Sequence, residues 1–111
     1  MPATRLIPWK SCRSGAGVFV EAAGRELAVF RLGDPDHAIV IDNACPHSSG
    51  NLSAGEVQGQ IVTCPAHQWK FDLPSGVCTH SDLARVRRYP AEVREDGFVW
   101  ADLPNGSTHD V

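Results

Sequence analysis

No run in these 111 residues approaches the roughly eighteen apolar positions of a membrane span. The first ten residues also lack the apolar core, about seven residues long, of a secretion signal. The expected setting is therefore cytoplasmic, with no membrane as partner. Basic charge is in deficit: 10 Lys and Arg stand against 13 Asp and Glu, a formal net charge of −3. That balance argues against a nucleic-acid partner. Helical periodicity is missing, since no segment keeps a 3.6-residue apolar repeat over three turns. Internal repeats and low-complexity tracts are missing too. There are no paired carboxylates, no nucleophile motif and no Gly-rich phosphate loop, so nothing points to a catalytic apparatus of the chain's own.

What is present reads as β-structure throughout. Val18 to Glu21 and Leu27 to Leu32 are short apolar runs joined by Ala23-Gly24-Arg25, a hairpin signal. Gly33-Asp34-Pro35-Asp36 is a turn, and Ala38 to Ile41 reads as a strand buried on both faces. Ile61 to Thr63 and Trp69 to Asp72 are further short strands, with Pro74-Ser75-Gly76 as a turn after them. Tyr89 to Arg94 and Phe98 to Ala101 flank Glu95-Asp96-Gly97, where Asp-Gly marks a hairpin. Residues 50–56 have room for one short helical turn. The tail after Leu103 is polar and is expected to fray.

Cys45-Pro46-His47 and Cys64-Pro65-Ala66-His67 carry the chemistry, with sixteen residues (48–63) between them. Each motif mixes one Cys and one His, and each Cys is followed by Pro, which stiffens the loop. Two thiolates and two imidazoles in this arrangement suit a Rieske [2Fe–2S] centre, with the Cys pair on one iron and the His pair on the other. A Cys2His2 zinc site is the competing metal reading, implying a zinc-binding interaction module. Zinc fingers, however, group Cys with Cys and His with His. Two buried Cys with two incidental His is the reading without any metal. Cys12 and Cys78 lie far apart in sequence and read as small packing residues. His37, His80 and His109 read as surface histidines. Arg85, Arg87 and Arg88 form the only basic run and read as an exposed strand edge, with docking as the functional alternative.

The stretch from Asn43 to Val77, including Trp69-Lys70-Phe71-Asp72-Leu73-Pro74-Ser75-Gly76, resembles the cluster-binding part of Rieske-type ferredoxins of ring-hydroxylating oxygenases. It also resembles the Rieske-like small subunits of NAD(P)H nitrite reductases. The likeness extends more loosely over residues 5–103. It implies an all-β Rieske fold: a small antiparallel β-sandwich or barrel with a two-loop cluster-binding insert. The expected division is one domain over 1–111, with 5–43 and 83–103 as the basal β part, 44–82 as the insert and 104–111 as a flexible tail. It implies one [2Fe–2S] cluster held by Cys45, His47, Cys64 and His67. The implied role is that of a one-electron carrier, not an enzyme by itself, between a flavoprotein reductase and a terminal oxygenase. The alternative is the small subunit of a nitrite reductase beside its large subunit. No 2-His-1-carboxylate site of an oxygenase catalytic domain is apparent.

Departures from the pattern are informative. Such ferredoxins tend to have Gly where this chain has Ser49 and Gln68, with Gly50 one place later. Respiratory Rieske proteins join their loops by a disulfide at places that fall on Gly50 and Ala66 here. They set Ser and Tyr hydroxyls near the cluster where this chain has Trp69 and Phe71. Fewer hydroxyl donors to sulfur disfavour the reduced, more negative cluster, so a low-potential protein is expected.

Overall fold

The computed structural model describes residues 3–33, 35–46, 50–66, 68–79 and 84–104. Ten strands form three antiparallel sheets: β1 (Ala3–Pro8), β2 (Gly17–Ala22), β3 (Arg25–Leu32), β4 (His37–Asp42), β5 (Glu56–Gln58), β6 (Ile61–Thr63), β7 (Lys70–Asp72), β8 (Arg88–Tyr89), β9 (Ala91–Val93) and β10 (Phe98–Asp102). The described residues contain no α-helix, only 3-10 turns at Trp9–Ser11 and Leu52–Ala54. The second of these falls inside the 50–56 stretch where one helical turn was expected. No helix among the described residues is long and apolar enough to cross a membrane.

The four-stranded sheet β2-β3-β4-β8 is the centre of the molecule. Its inner strands explain why Leu27 to Leu32 and Ala38 to Ile41 read as continuous apolar runs rather than alternating ones. Successive side chains point to opposite faces, and here both faces are covered. Ala28, Phe30, Leu32, Ile39 and Ile41 join one core cluster, which also holds Leu52, Val62, Phe71 and both motif cysteines. Leu27, Val29 and Val40 join the other, with Tyr89, Val99, Ala101 and Leu103. The first face thus meets the sheet β5-β6-β7, and the second meets β1-β10-β9. A one-residue slip of β3 would exchange the two sets, so each face fixes the register of the other.

Two features differ from the sequence expectation. Tyr89 to Arg94 is not one strand. Pro90 has no N–H to give to a ladder, and the chain changes sheets there: Tyr89 pairs with Val40, and Ala91 pairs with Ala101. β1 and β5 lacked a usable signal: β1 alternates poorly and bulges between Arg5 and Ile7, and β5 is a three-residue polar strand. The Asp-Gly turn forms as expected. Gly97 adopts φ +82, Gly97 N–H donates to Arg94 O (2.9 Å) and Arg94 N–H to Phe98 O (3.0 Å). His37 is exposed, though it begins β4 rather than sitting in a turn. Asp34, His80, His109 and residues 105–111 lie outside the described residues.

Candidate functional site: two loops that meet at a glycine

The first loop leaves the end of β4. Asp42 N–H donates to Arg87 O (3.0 Å), and Asn43 N–H donates to Glu26 O (3.0 Å). Ala44 bridges Asn51, and Cys45 N–H donates to Gly50 O (2.8 Å), which closes the loop at its neck. Asn43, 1% exposed, is the only buried residue with an amide or charged side chain among the described residues. Its amide Nδ2 donates to Asn51 Oδ1 (2.9 Å), and its Oδ1 accepts from Ser53 N–H (3.0 Å). Its carbonyl accepts from Leu52 N–H (2.8 Å). One residue therefore ties the strand entering the loop to the turn leaving it. A buried amide with each of these groups satisfied rigidifies; stripped of its partners it would cost about 1–3 kcal/mol.

The second loop follows β6. Cys64 N–H donates to Trp69 O (2.7 Å), and Gln68 N–H donates to Cys64 O (3.0 Å). Closing so short a loop puts Gln68 at φ +65, the left-handed region. The resemblance noted in the sequence puts a Gly at this place, and the departure leaves a non-glycine residue in strained backbone.

The loops touch at Gly50. A Cβ placed there would lie 2.7 Å from Cys64 Sγ and 3.0 Å from the Ala66 Cβ. Only a glycine admits the second thiol this close. The same contact shows that Gly50 and Ala66, the counterparts of the disulfide pair in the respiratory proteins, face one another here. Cys45 and Cys64 are 2% and 0% exposed, while Ala44, Pro46, Pro65, Ala66 and Gln68 are exposed. The thiols thus turn inward beneath loop tips that face solvent. Phe71 is fully buried in the same core cluster, and Trp69 packs against it, half-buried. His47 and His67 lie outside the described residues.

The donor chemistry fits an iron–sulfur group: two soft, water-shielded thiols, on loops that interlock, each followed in sequence by a histidine. Cys12 and Cys78 are the remaining two cysteines, and Cys78 shares a core cluster with both motif cysteines. They are 4% and 2% exposed and belong to different core clusters, on opposite faces of the central sheet. Burial pushes the Cys12 thiol above its ordinary pKa, with Arg31 opposing, as suits a packing residue.

Sequence reasoning missed Asn43 and a second polar group, Tyr89. Tyr89 is 2% exposed, and its hydroxyl donates to Asp42 Oδ1 (2.6 Å) and accepts from Arg25 Nη1 (3.1 Å). Burial first, then the bond to Asp42, pushes its pKa up to about 12. For Asn43 the available signal was a polar residue directly after β4 and two places before the first Cys.

The chain is 34% identical over 88 residues to the ferredoxin component of the Pseudomonas putida naphthalene 1,2-dioxygenase system, covering 78% of this chain and 80% of that one. It is 40% identical over 96 residues to a probable 3-ketosteroid-9-alpha-monooxygenase oxygenase component of Rhodococcus rhodochrous, covering 79% of this chain. It spans only 23% of that relative's length, and about a quarter or less of the other oxygenase and desaturase relatives it matches. In three dimensions it superposes on the Sphingomonas yanoikuyae B1 ferredoxin with TM-score 0.81 and 30% identity, covering 93% of this chain and all of that one. A proposed NADH-dependent nitrite reductase small subunit from Mycobacterium tuberculosis gives TM-score 0.81 at 27% identity, covering 90% and 93%. The zinc reading finds no support in these matches. Residues 5–90 match the family model of the Rieske [2Fe-2S] domain; the chain belongs to that family, whose cofactor is one [2Fe–2S] cluster.

Proposed function

We propose that this chain is a one-electron carrier in which Cys45 and Cys64 hold one iron of the cluster and His47 and His67 hold the other. The observation that carries the proposal is the interlock at Gly50, which sets Cys64 Sγ and the first loop within contact distance under a dry core. The cluster supplies one-electron chemistry when bound. The chain's own residues bury the two thiols, brace both loops on strands and keep the loop tips exposed. In this reading 44–82 is the cluster-bearing insert and 5–43 with 83–103 its base.

The likeness to a ferredoxin component over four-fifths of that protein's length favours a cytoplasmic link from a flavoprotein reductase to a terminal oxygenase. The match to a nitrite reductase small subunit supports a second reading, a fixed subunit of such an enzyme. The higher identity to an oxygenase component supports the same electron delivery inside a larger oxygenase.

Iron and sulfide analysis of the purified protein tests the core of this: two irons and two sulfides per chain, a brown colour and a rhombic paramagnetic signal on reduction are expected. A colourless protein with one zinc would overturn it. Gel filtration of native extract separates a free carrier from a fixed subunit. With Trp69 and the fully buried Phe71 in place of hydroxyl donors, the midpoint potential at pH 7 is expected near the lower end of the Rieske range, roughly −150 to −100 mV. Protein-film voltammetry measures it.

A further inference from the structure

Beside the first loop lies a groove of about 610 Å³, lined by Arg25, Glu26 and Asp42 from β3 and β4, by Arg85, Val86 and Arg87 from the segment that leads into β8, and by Ala44, Cys45 and Pro46. Three arginines therefore line one groove with a motif cysteine, in a chain whose overall charge is −3. The arginines are not equivalent. Arg25 donates to the Tyr89 hydroxyl and lies 5.6 Å from the centre of its ring. Arg87 lies 5.5 Å from the same ring, which limits its freedom without satisfying its N–H fork. Among the described residues, neither Arg85 nor Arg87 forms an ion pair, whereas Arg5, Arg31 and Arg94 each do. The two groove carboxylates differ too: Asp42 is occupied by the Tyr89 hydroxyl at 2.6 Å, and Glu26 is exposed.

We propose that this groove seats a carboxylate side chain of the protein that exchanges electrons with this one, held by Arg85 and Arg87 against the Cys45-Pro46 end of the first loop. The proposal rests on the electron-carrier reading and adds the partner's chemistry: an acidic docking face. Guanidinium forks match carboxylates in a bidentate way, and Arg stays charged at every cellular pH. Glu26 and Asp42 at the Arg25 side repel a second carboxylate, so the groove fixes orientation as well as charge. A carboxylate here brings the partner's surface to the backbone of Cys45, a short route to the site. Charges of this kind act mainly on association, and their effect is screened by salt.

The test uses two acceptors with the same haem and opposite charge: native cytochrome c, rich in lysine, and its succinylated form, rich in carboxylate. Stopped-flow mixing with the reduced holoprotein gives second-order rate constants across a salt series. The double variant Arg85→Glu/Arg87→Glu is expected to reduce succinylated cytochrome c about tenfold more slowly, with a flatter salt dependence and no loss with the native form. Arg85→Gln/Arg87→Gln, which keeps the shape, should fall between the two. Arg13→Glu, exposed and outside the groove, should match the wild type. Unchanged rates in both double variants, with cluster absorption and potential as in the wild type, overturn the proposal. So does equal slowing by Arg13→Glu, since net charge alone would then explain the effect. A wild-type protein that holds no iron or reduces neither cytochrome overturns instead the carrier reading beneath it.

Discussion

The two Cys-Pro loops carry matching Cys/His pairs in sequence, yet they are held in different ways. The first is tied by a buried side chain: Asn43 links β4 to the turn at Leu52–Ala54 through two amide bonds and its own carbonyl. The second is shorter, with the backbone bonds Cys64 N–H to Trp69 O and Gln68 N–H to Cys64 O across it and a residue in the left-handed region as the result. The difference teaches where each loop is vulnerable. Substitution of one buried amide can undo the first, while the second carries backbone strain at Gln68. Gly50 belongs to both, because it ends the first loop and borders Cys64 of the second.

The largest effect is expected where the loops meet. Gly50→Ala places a methyl 2.7 Å from Cys64 Sγ, with both motif cysteines buried and unable to yield freely. Overpacking of this kind costs about 1–3 kcal/mol, and the displaced thiol should leave most chains without iron. Gly59→Ala is the opposite case: Gly59 has positive φ, +62, which Gly50 does not, and nothing lies within 4 Å of its Cβ, so only strain of about 1 kcal/mol applies. Iron content and melting temperature measured on both variants separate crowding at the site from strain in general. Full iron loading of Gly50→Ala would show that the second loop moves independently of the first.

Next in size is the amide clamp. Asn43→Ala leaves Ser53 N–H and Asn51 without their partner beneath the first loop, at a cost of about 2–3 kcal/mol. Asn43→Asp keeps the volume but turns a donor into an acceptor facing Asn51 Oδ1, and should cost a similar amount. Gln68→Ala, the matched side-chain removal on the second loop, should change stability by no more than about 0.5 kcal/mol, as surface substitutions do. Denaturant titrations give the stability differences, and the rate of cluster bleaching reports the loops directly. Equal costs at residues 43 and 68 would erase the distinction.

Much of this was legible beforehand, for physical reasons. The mixed Cys/His spacing is a short, local pattern, readable in the sequence without knowledge of the fold. The runs in β3 and β4 are apolar without alternation because both faces are covered. Ala23-Gly24 and Asp96-Gly97 announce turns because they need positive φ, and Ala23, Gly24 and Gly97 have it. What was not legible lacks local cause. β5 is polar and three residues long, and forms because Val57 pairs with Val62. Pro90 divides a run whose propensity is continuous. The Tyr89–Asp42–Arg25 group unites residues far apart in sequence, and Asn43 looks like any polar residue at a strand end until Asn51 and Ser53 are seen around it.

Tyr89 extends the comparison to the strand that feeds the first loop. It is the only tyrosine in the chain, so tyrosinate absorbance reports it alone. In the unfolded chain it releases its proton near pH 10, and in the folded protein near 12, because burial and Asp42 disfavour the phenolate. The unfolded state therefore loses protons first as pH rises. Stability is present in full below pH 10 and declines as pH climbs from 10 to 12, by up to about 2.5 kcal/mol. Tyr89→Phe should lack this alkaline decline, while losing a hydrogen bond to a carboxylate worth about 1.5 kcal/mol at neutral pH. Denaturation midpoints measured at intervals from pH 8 to 12 show whether the decline disappears.

The smallest effect should fall on the second loop, and in the opposite direction. Gln68 holds φ +65 with an exposed side chain. Left-handed backbone costs an L-residue about 1–2 kcal/mol, and glycine escapes it while paying about 0.5–1 kcal/mol in unfolded-state freedom. Gln68→Gly is thus expected to stabilise the protein by about 0.5 kcal/mol. The reverse exchange on the first loop, Gly50→Ala, can only harm it, since Gly50 is a glycine for want of space. A rise of a few degrees in melting temperature, with an unchanged cluster spectrum, supports backbone strain as the second loop's particular burden. A fall would mean that the Gln68 side chain holds the loop through a contact stronger than the strain it endures, and that the two loops are more alike than their hydrogen bonds indicate.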